Sequence, residues 1–425
     1  MEFQKTQQKK FSSEQKAVCF VVLVITFVSA VFGSAMNLLV PTMGKEFNVS
    51  ASLVGLILTS FSVTVAVLSI PFGRLADIIG KRRVFVPGIL IFSAFSLMPV
   101  LAQNFVVLII FRFLQAIGGA MAFSTTTAIL ASVFPDGERG KAVGLLAASM
   151  YVGLTVGPIG AGIMNDYFGW RSIFLVTCAL SAIAFIAAVT KLPKDGKNLQ
   201  GISINMFKDI VYIFKLFTGN LIYASLNIVV LLASGVGFVI VYLMSLYVQV
   251  VLGYSSQTTG LILVAQPVLM TALSLYAGKL SDKISPFKLV ALGLTICTVG
   301  VGIGVFINDA FPLWLVICAL AISGIGFGLF APPSTVAIMS CVENKDYGTA
   351  SAVLVTMRFL GYSASIAIVS LIASIHMGSI PLAEAEIDVL VTTMRASFTL
   401  FLVVCSLGVF IAIKCGKHAK MQKNN

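Results

Sequence analysis

Charge is scarce in this chain. Asp, Glu, Lys and Arg together supply 10% of its 425 residues, while 58% are hydrophobic; a soluble globular protein carries about 25% charged residues. With a mean hydropathy of +1.03 there is too little polar surface for a water-soluble globule, so the chain reads as an integral membrane protein. Acid is scarcer than base, and none of the sixteen carboxylates lies in the middle of an apolar run. The two histidines, His376 and His418, sit at the end of one run and in the C-terminal tail. An intramembrane proton relay ordinarily needs Asp, Glu or His at depth, and no obvious one is present. The GxxxxGK[ST], HExxH and GxSxG patterns are missing as well, which argues against ATP as the energy source and against a polytopic enzyme. Seven scattered cysteines form neither a disulfide framework nor a zinc spacing, and no cofactor or metal is expected. The net charge of +12 does not indicate nucleic acid, because no soluble stretch is long enough to carry a basic surface.

What the chain has is long apolar runs. A helix needs roughly 20 apolar residues to cross about 30 Å of hydrocarbon. Twelve such runs can be marked off by charged or Pro/Gly-rich breaks, at 17–40, 52–71, 84–102, 105–128, 141–163, 171–190, 222–248, 257–277, 286–306, 311–333, 347–371 and 391–413. They are continuously apolar rather than alternating, which predicts helices and not a barrel. Of the 28 basic residues, 23 fall in the termini or in loops after even-numbered runs, and Lys45, Arg171 and Arg395 fall on the other side. By the positive-inside rule both termini are expected to be cytoplasmic, in a multi-pass protein of the cell membrane. The basic N-terminal stretch has the outline of a secretory signal, but eleven further runs favour an uncleaved first helix.

The chain also repeats itself. GLIL at 55–58 returns at 260–263, GRLAD at 73–77 returns as GKLSD at 278–282, and Gly153 in the fifth run falls opposite Gly361 in the eleventh. The expected architecture is all-α, with twelve transmembrane helices in two pseudo-symmetric six-helix bundles: residues 1–190, a cytoplasmic linker over 191–221, and residues 222–425. The linker holds five lysines, and its segment MFKDIVYIFKLF reads equally as a short amphipathic helix on the membrane surface or as a solvated connection. A duplicated bundle has a seam between its halves, and rocking about such a seam is how many secondary transporters alternate their access.

Two arginines fall inside runs, where an ionised side chain costs several kcal/mol unless it finds partners or water. Arg112 opens RFLQAIGGA, with Gln115 one turn later on the same face and Gly118 and Gly119 permitting close helix approach. Arg358 lies near the midplane of the eleventh run and is a candidate either for function or for bracing neighbouring carbonyls.

GRLADIIGKRR at 73–83 resembles the signature between the second and third spans of the major facilitator superfamily, through Gly73, Leu75, Asp77, Gly80, Lys81, Arg82 and Arg83. Ile78 departs from the pattern, where a basic residue is usual. The resemblance implies a cytoplasmic gate in which Asp77 meets the positive end of the eleventh helix, an interaction worth about 0.3–1 kcal/mol when exposed. LIIFRFLQAIGGA is similar to the fourth-span signature, which implies a coupling role for Arg112 with Gln115. GLTVGPIGAG at 153–162 resembles the fifth-span signature of exporters through Gly153, Gly157, Pro158 and Gly162, with Ala161 replacing one glycine. FGWRSIF and SLYVQVVLGYS add weaker likenesses to the drug/proton antiporter families. Proton-coupled exporters of cationic drugs commonly carry an acid in the first span; aligning Asn37 and Pro41 with that pattern puts Phe32 in its place, which suits a neutral or anionic amphiphile better.

The resemblance implies a solute cavity near the midplane between the halves. Candidate liners are Ser34 and Asn37, Gln115, Tyr242 and Gln249, Gln266 and Arg358, any of which could instead bond a neighbouring helix. The expected function is export of a small amphiphilic or hydrophobic compound by alternating access, driven by proton antiport, in a monomer. The alternatives are import or exchange of a small organic anion, and a non-transporting receptor on the same fold.

Overall fold

The computed structural model describes residues 12–133, 139–193, 217–281, 284–342, 347–382 and 384–424. Among them are twelve helices long and apolar enough to cross a membrane, one for each apolar run. They are α1 Ser13–Glu46, α2 in two pieces (Ala51–Val54 and Leu56–Ile79), α3 Lys81–Leu97, α4 Phe105–Val133, α5 Arg139–Phe168 and α6 Arg171–Lys191. After the linker come α7 Leu221–Leu246, α8 in two pieces (Ser256–Leu263 and Ala265–Ser281), α9 Pro286–Gly304, α10 Leu313–Met339, α11 Tyr347–Met377 and α12 Ile387–Asn424. Hydrocarbon offers no partner to a backbone N–H or C=O, so a continuously apolar segment must close its hydrogen bonds on itself.

Helices α1 and α12 overrun their apolar stretches at both ends, because flanking Lys, Gln and Glu are good helix formers and water can satisfy the outer turns. Ser12 starts α1 with a capping box: its hydroxyl accepts from the Gln15 backbone N–H at 3.1 Å, and the Gln15 carboxamide accepts from the Ser12 N–H at 2.9 Å. Gly80 alone joins α2 to α3 at φ 109°, a conformation an L side chain resists. The amphipathic linker segment, apart from Phe217 at its end, lies outside the described residues.

Two pseudo-symmetric bundles follow from which helices pack together. The pairs α1–α5, α3–α4, α2–α4, α3–α6 and α1–α6 recur six helices later as α7–α11, α9–α10, α8–α10, α9–α12 and α7–α12. Two further pairs, α2–α11 and α5–α8, cross between the bundles and exchange places under the same shift. The repeated GLIL sits at those crossings. A side chain on Gly55 would strike Ser370 and Ile366 of α11, and one on Gly260 would strike the Pro158 carbonyl of α5. Equivalent contacts therefore demand glycine twice, which is why this part of the repeat is still visible.

Candidate functional site

Arg112 is the most enclosed charge in the described structure, 2% exposed. Its Nε donates to the Ile57 carbonyl of α2 at 3.1 Å and its Nη1 to Gln115 Oε1 at 2.7 Å. Gln115 passes the chain on, donating through Nε2 to Ser96 Oγ of α3 at 2.7 Å. The guanidinium carbon lies 5.0 Å from the centroid of Phe32 and 4.7 Å from that of Phe61, an attraction worth about 2 kcal/mol or more when desolvated. Phe32, the residue standing where an acid is common, thus meets the arginine with a ring face in place of a carboxylate. A methyl on Gly118 would run into the Phe92 backbone, so α3 and α4 touch and hold this node closed. Every partner named belongs to the first bundle.

The exporter-like stretch of α5 does two packing jobs. Gly153 lies against the Phe27 carbonyl and Ala30, and Gly157 against Ser34 and the Val31 carbonyl, which brings α5 onto α1. Gly162 and the Pro158 carbonyl face the opposite way, onto Ser256, Gln257 and Gly260 of α8. Ser34 returns its own hydroxyl proton to the Ala30 carbonyl at 2.9 Å. Asn37, one turn along α1, is buried, and among the described residues its Oδ1 has no hydrogen-bond partner.

At the end of the molecule away from the termini the bundles are tied by hydrogen bonds. Leu382 N donates to the Val49 carbonyl at 3.0 Å and Ser52 Oγ to the Gly378 carbonyl at 3.3 Å. Gln249 Nε2 donates to the Leu38 carbonyl at 2.8 Å, and Asn165 Nδ2 donates to Ser256 Oγ at 2.8 Å. Asp166 caps α8, accepting from Ser256 N at 3.2 Å and Gln257 N at 2.8 Å. A carboxylate across the positive end of a helix is the interaction expected of Asp77 and α11; Asp166 makes one of the same kind with α8 at the opposite end. Nothing in the sequence pairs positions 90 apart, although Ser255 is a recognisable N-cap that marks where α8 begins. A cleft of about 430 Å³ opens beside this lock, lined among others by Lys45, Asp166, Gln249 and Tyr254. Gln249 thus sits at the far end. Tyr242 lines a separate small apolar cavity of about 20 Å³ against Val369, Leu390 and Met394.

Within the gate-like loop, a methyl on Gly73 would make only ordinary contact with Ser124 of α4 and Ala352 of α11. Arg82 donates to the Val189 carbonyl at the end of α6 at 2.6 Å, and Arg83 to the Ile79 carbonyl at 3.3 Å. Lys81 begins α3. The Asp77 backbone is in α2, but its side chain lies outside the described residues.

Arg358 is placed differently from Arg112. It is half-buried, and among the described residues it makes a single hydrogen bond, from Nη2 to Thr335 Oγ1 of α10 at 3.2 Å. Phe359 stacks on Phe123 of α4 across the seam, with centroids 6.2 Å apart and planes at 11°, and Tyr362 stacks on Phe238 of α7 at 4.7 Å and 27°. Gln266 is buried on α8, with its backbone against Gly324 of α10. The structure therefore gathers Arg112 with Gln115, and Ser34 with Gly157, while Gln249, Tyr242 and Arg358 stand in three different places. Sequence reasoning missed the stacks that Phe359 and Tyr362 make with Phe123 and Phe238, because an aromatic inside an apolar run carries no sign of which face it occupies.

The family model described as Major Facilitator Superfamily matches residues 22–366. The riboflavin transporter RibZ of Clostridioides difficile (strain 630) is 24% identical to this chain, covering 94% of this chain and 97% of the relative. The multidrug resistance protein Stp of Mycobacterium tuberculosis (strain CDC 1551 / Oshkosh) is 24% identical over 78% of this chain and 71% of its own length. Among solved structures, a bacterial homolog of the human lysosomal transporter Spinster superposes with TM-score 0.76 at 16% identity, covering 96% of this chain and 98% of that one. At that identity the likeness is one of fold.

Proposed function

The chain belongs to the Major Facilitator Superfamily, and on that premise we propose that it is a secondary transporter exporting a small amphiphilic or hydrophobic compound across the cell membrane. It works by alternating access and proton antiport, as a monomer with both termini cytoplasmic. The rigid bodies are residues 1–190 and 222–425, joined by the linker at 191–221, and they rock about the α2–α11 and α5–α8 crossings.

The observation that carries this reading is the seam itself. Its far end is held by a small set of exposed or half-buried hydrogen bonds, each worth about 0.5–1.5 kcal/mol, which rocking can break and reform. In the proposed cycle their release opens the far end, while Asp77 and the Lys81, Arg82, Arg83 cluster close the other. Arg112 with Gln115 couples the movement of the first bundle to proton entry. Gly153, Gly157, Pro158 and Gly162 supply the surface on which α5 holds α1 and meets α8. The α5 glycines, and a relative named as a multidrug resistance protein, favour export.

A second reading, import or exchange of a small organic anion, is favoured by one feature, the intramembrane Arg358 with no carboxylate at its depth; a relative named as a riboflavin transporter accords with it. Inverted vesicles energised by an acid interior decide between them. A panel of lipophilic dyes and organic anions is offered outside. Accumulation that collapses with a protonophore is the outcome expected of an exporter. Uptake confined to right-side-out vesicles would instead establish the second reading.

A further inference from the structure

Arg358 occupies an unusual electrostatic position. On α11, Ala364, Ala367, Leu371 and Ile375 are exposed on the molecule's outer surface. At 100° per residue Arg358 and Tyr362 fall on the opposite side of the helix, toward the other spans. Its exposure is therefore to the interior between the bundles and not to acyl chains. A guanidinium carries five N–H donors, and the described structure uses one of them, on a neutral hydroxyl. The nearest acids along the sequence, Glu343 and Asp346, precede it by three turns or more, and no span holds a carboxylate at its centre. Arg112 resolves the same problem with a carbonyl, a carboxamide and two ring faces from its own bundle. Among the described residues Arg358 has no such set, so its charge is left for something that comes and goes.

The surroundings say what that is. Phe123 of the first bundle and Phe359 of the second lie nearly parallel, and Tyr362 carries the ring surface on to Phe238. Flat faces from both bundles favour stacking with a flat partner over a flexible chain, since aromatic pairs are worth about 0.5–1.5 kcal/mol beyond their buried area. A guanidinium in a fork geometry favours a carboxylate or a similarly planar anionic group, held by two parallel bonds. We propose that Arg358, with Phe359 and Tyr362 on its own helix and the Phe123 and Phe238 rings stacked on them, forms the solute-selecting subsite, and that its ligand is a planar aromatic compound bearing a carboxylate-like anionic group. This deepens the transporter reading and rests on it.

The test is binding to the full-length protein in detergent, where direction and coupling play no part. Anthracene-9-carboxylate is titrated by its own fluorescence, with anthracene-9-carboxamide as its neutral isostere and decanoate as a non-aromatic acid in competition. The aromatic acid is expected to bind about tenfold tighter than either, the worth of one hydrogen bond to a charged group. In Arg358→Gln the preference for acid over amide should vanish while the amide still binds. Arg358→Lys should keep part of the preference, which separates lost charge from lost fold. No binding of the acid, equal binding of acid and amide by the wild type, or an unchanged ratio in Arg358→Gln overturns the charge assignment. Decanoate competing as well as the aromatic acid overturns the role of the rings. Selective binding without any vesicle transport would leave this subsite standing and refute the exporter.

Discussion

The interior of the first bundle and the seam between bundles solve the same physical problem in opposite ways. Both contain an arginine within the apolar thickness. In the interior, Arg112 is enclosed by α1, α2 and α4, with Gln115 linking it on to α3, and the α1–α5 packing nearby is so close that Gly157 has no room for a methyl group. At the seam, Arg358 has one hydrogen bond, and the far-end lock is made of a carboxylate on two backbone amides and a few side-chain bonds. The Arg112 node is densely packed, whereas the hydrogen bonds at the far end of the seam are few and individually weak.

That contrast can be broken by measurement. The largest effect is expected from Arg112→Met. It removes two hydrogen bonds from a charged group, each worth about 1.5–3 kcal/mol, and strands the Gln115 carboxamide. The thermal unfolding midpoint in detergent should fall by more than in any seam variant. A melt indistinguishable from wild type would put the two regions on the same footing.

Gly157→Ala should come next, at about 1–3 kcal/mol for overpacking, since its Cβ meets Ser34 Oγ and the Val31 carbonyl. Gly160, on the same helix, has no atom within 4 Å of where a Cβ would go. Gly160→Ala is expected to be neutral or to gain up to about 1 kcal/mol from helix propensity. Equal losses in the two variants would show that α5 resents any added methyl and that the tight α1 contact is not the cause.

The smallest change in global stability is expected from Asp166→Asn, which removes a charge at the α8 N-terminus worth about 0.3–1 kcal/mol. Its effect should be local: faster amide hydrogen exchange at Ser256 and Gln257, with the unfolding midpoint nearly unchanged. Exchange at wild-type rates would mean that the carboxylate does not hold the far end, and the seam would lose its best-defined lock.

Much of the fold was legible because membrane insertion is decided locally. Each of the twelve runs announces a helix from its own residues, and the repeated GLIL was visible because the two equivalent crossings tolerate nothing larger than Gly55 and Gly260. Part of the Arg112 node was legible for the same reason: Gln115 lies one turn away on the same helix. Its other half was not. Ile57, Phe32 and Phe61 lie on other helices, and no periodicity within α4 says which neighbour will face Arg112. Asp166 was visible only as an acid near a span end, with its partner 90 positions away.

From the amino-acid order alone came the number of spans, the duplication, the end that bears the basic residues and the absence of acid at depth, all of which depend on hydropathy and charge within one helix length. Only the tertiary structure decided that Arg112 is sealed among rings and amides while Arg358 is left facing the seam. In a chain this uniformly apolar, many helix faces are interchangeable to lipid. The choice among them falls to glycine contacts and a few polar partners tens to hundreds of residues apart.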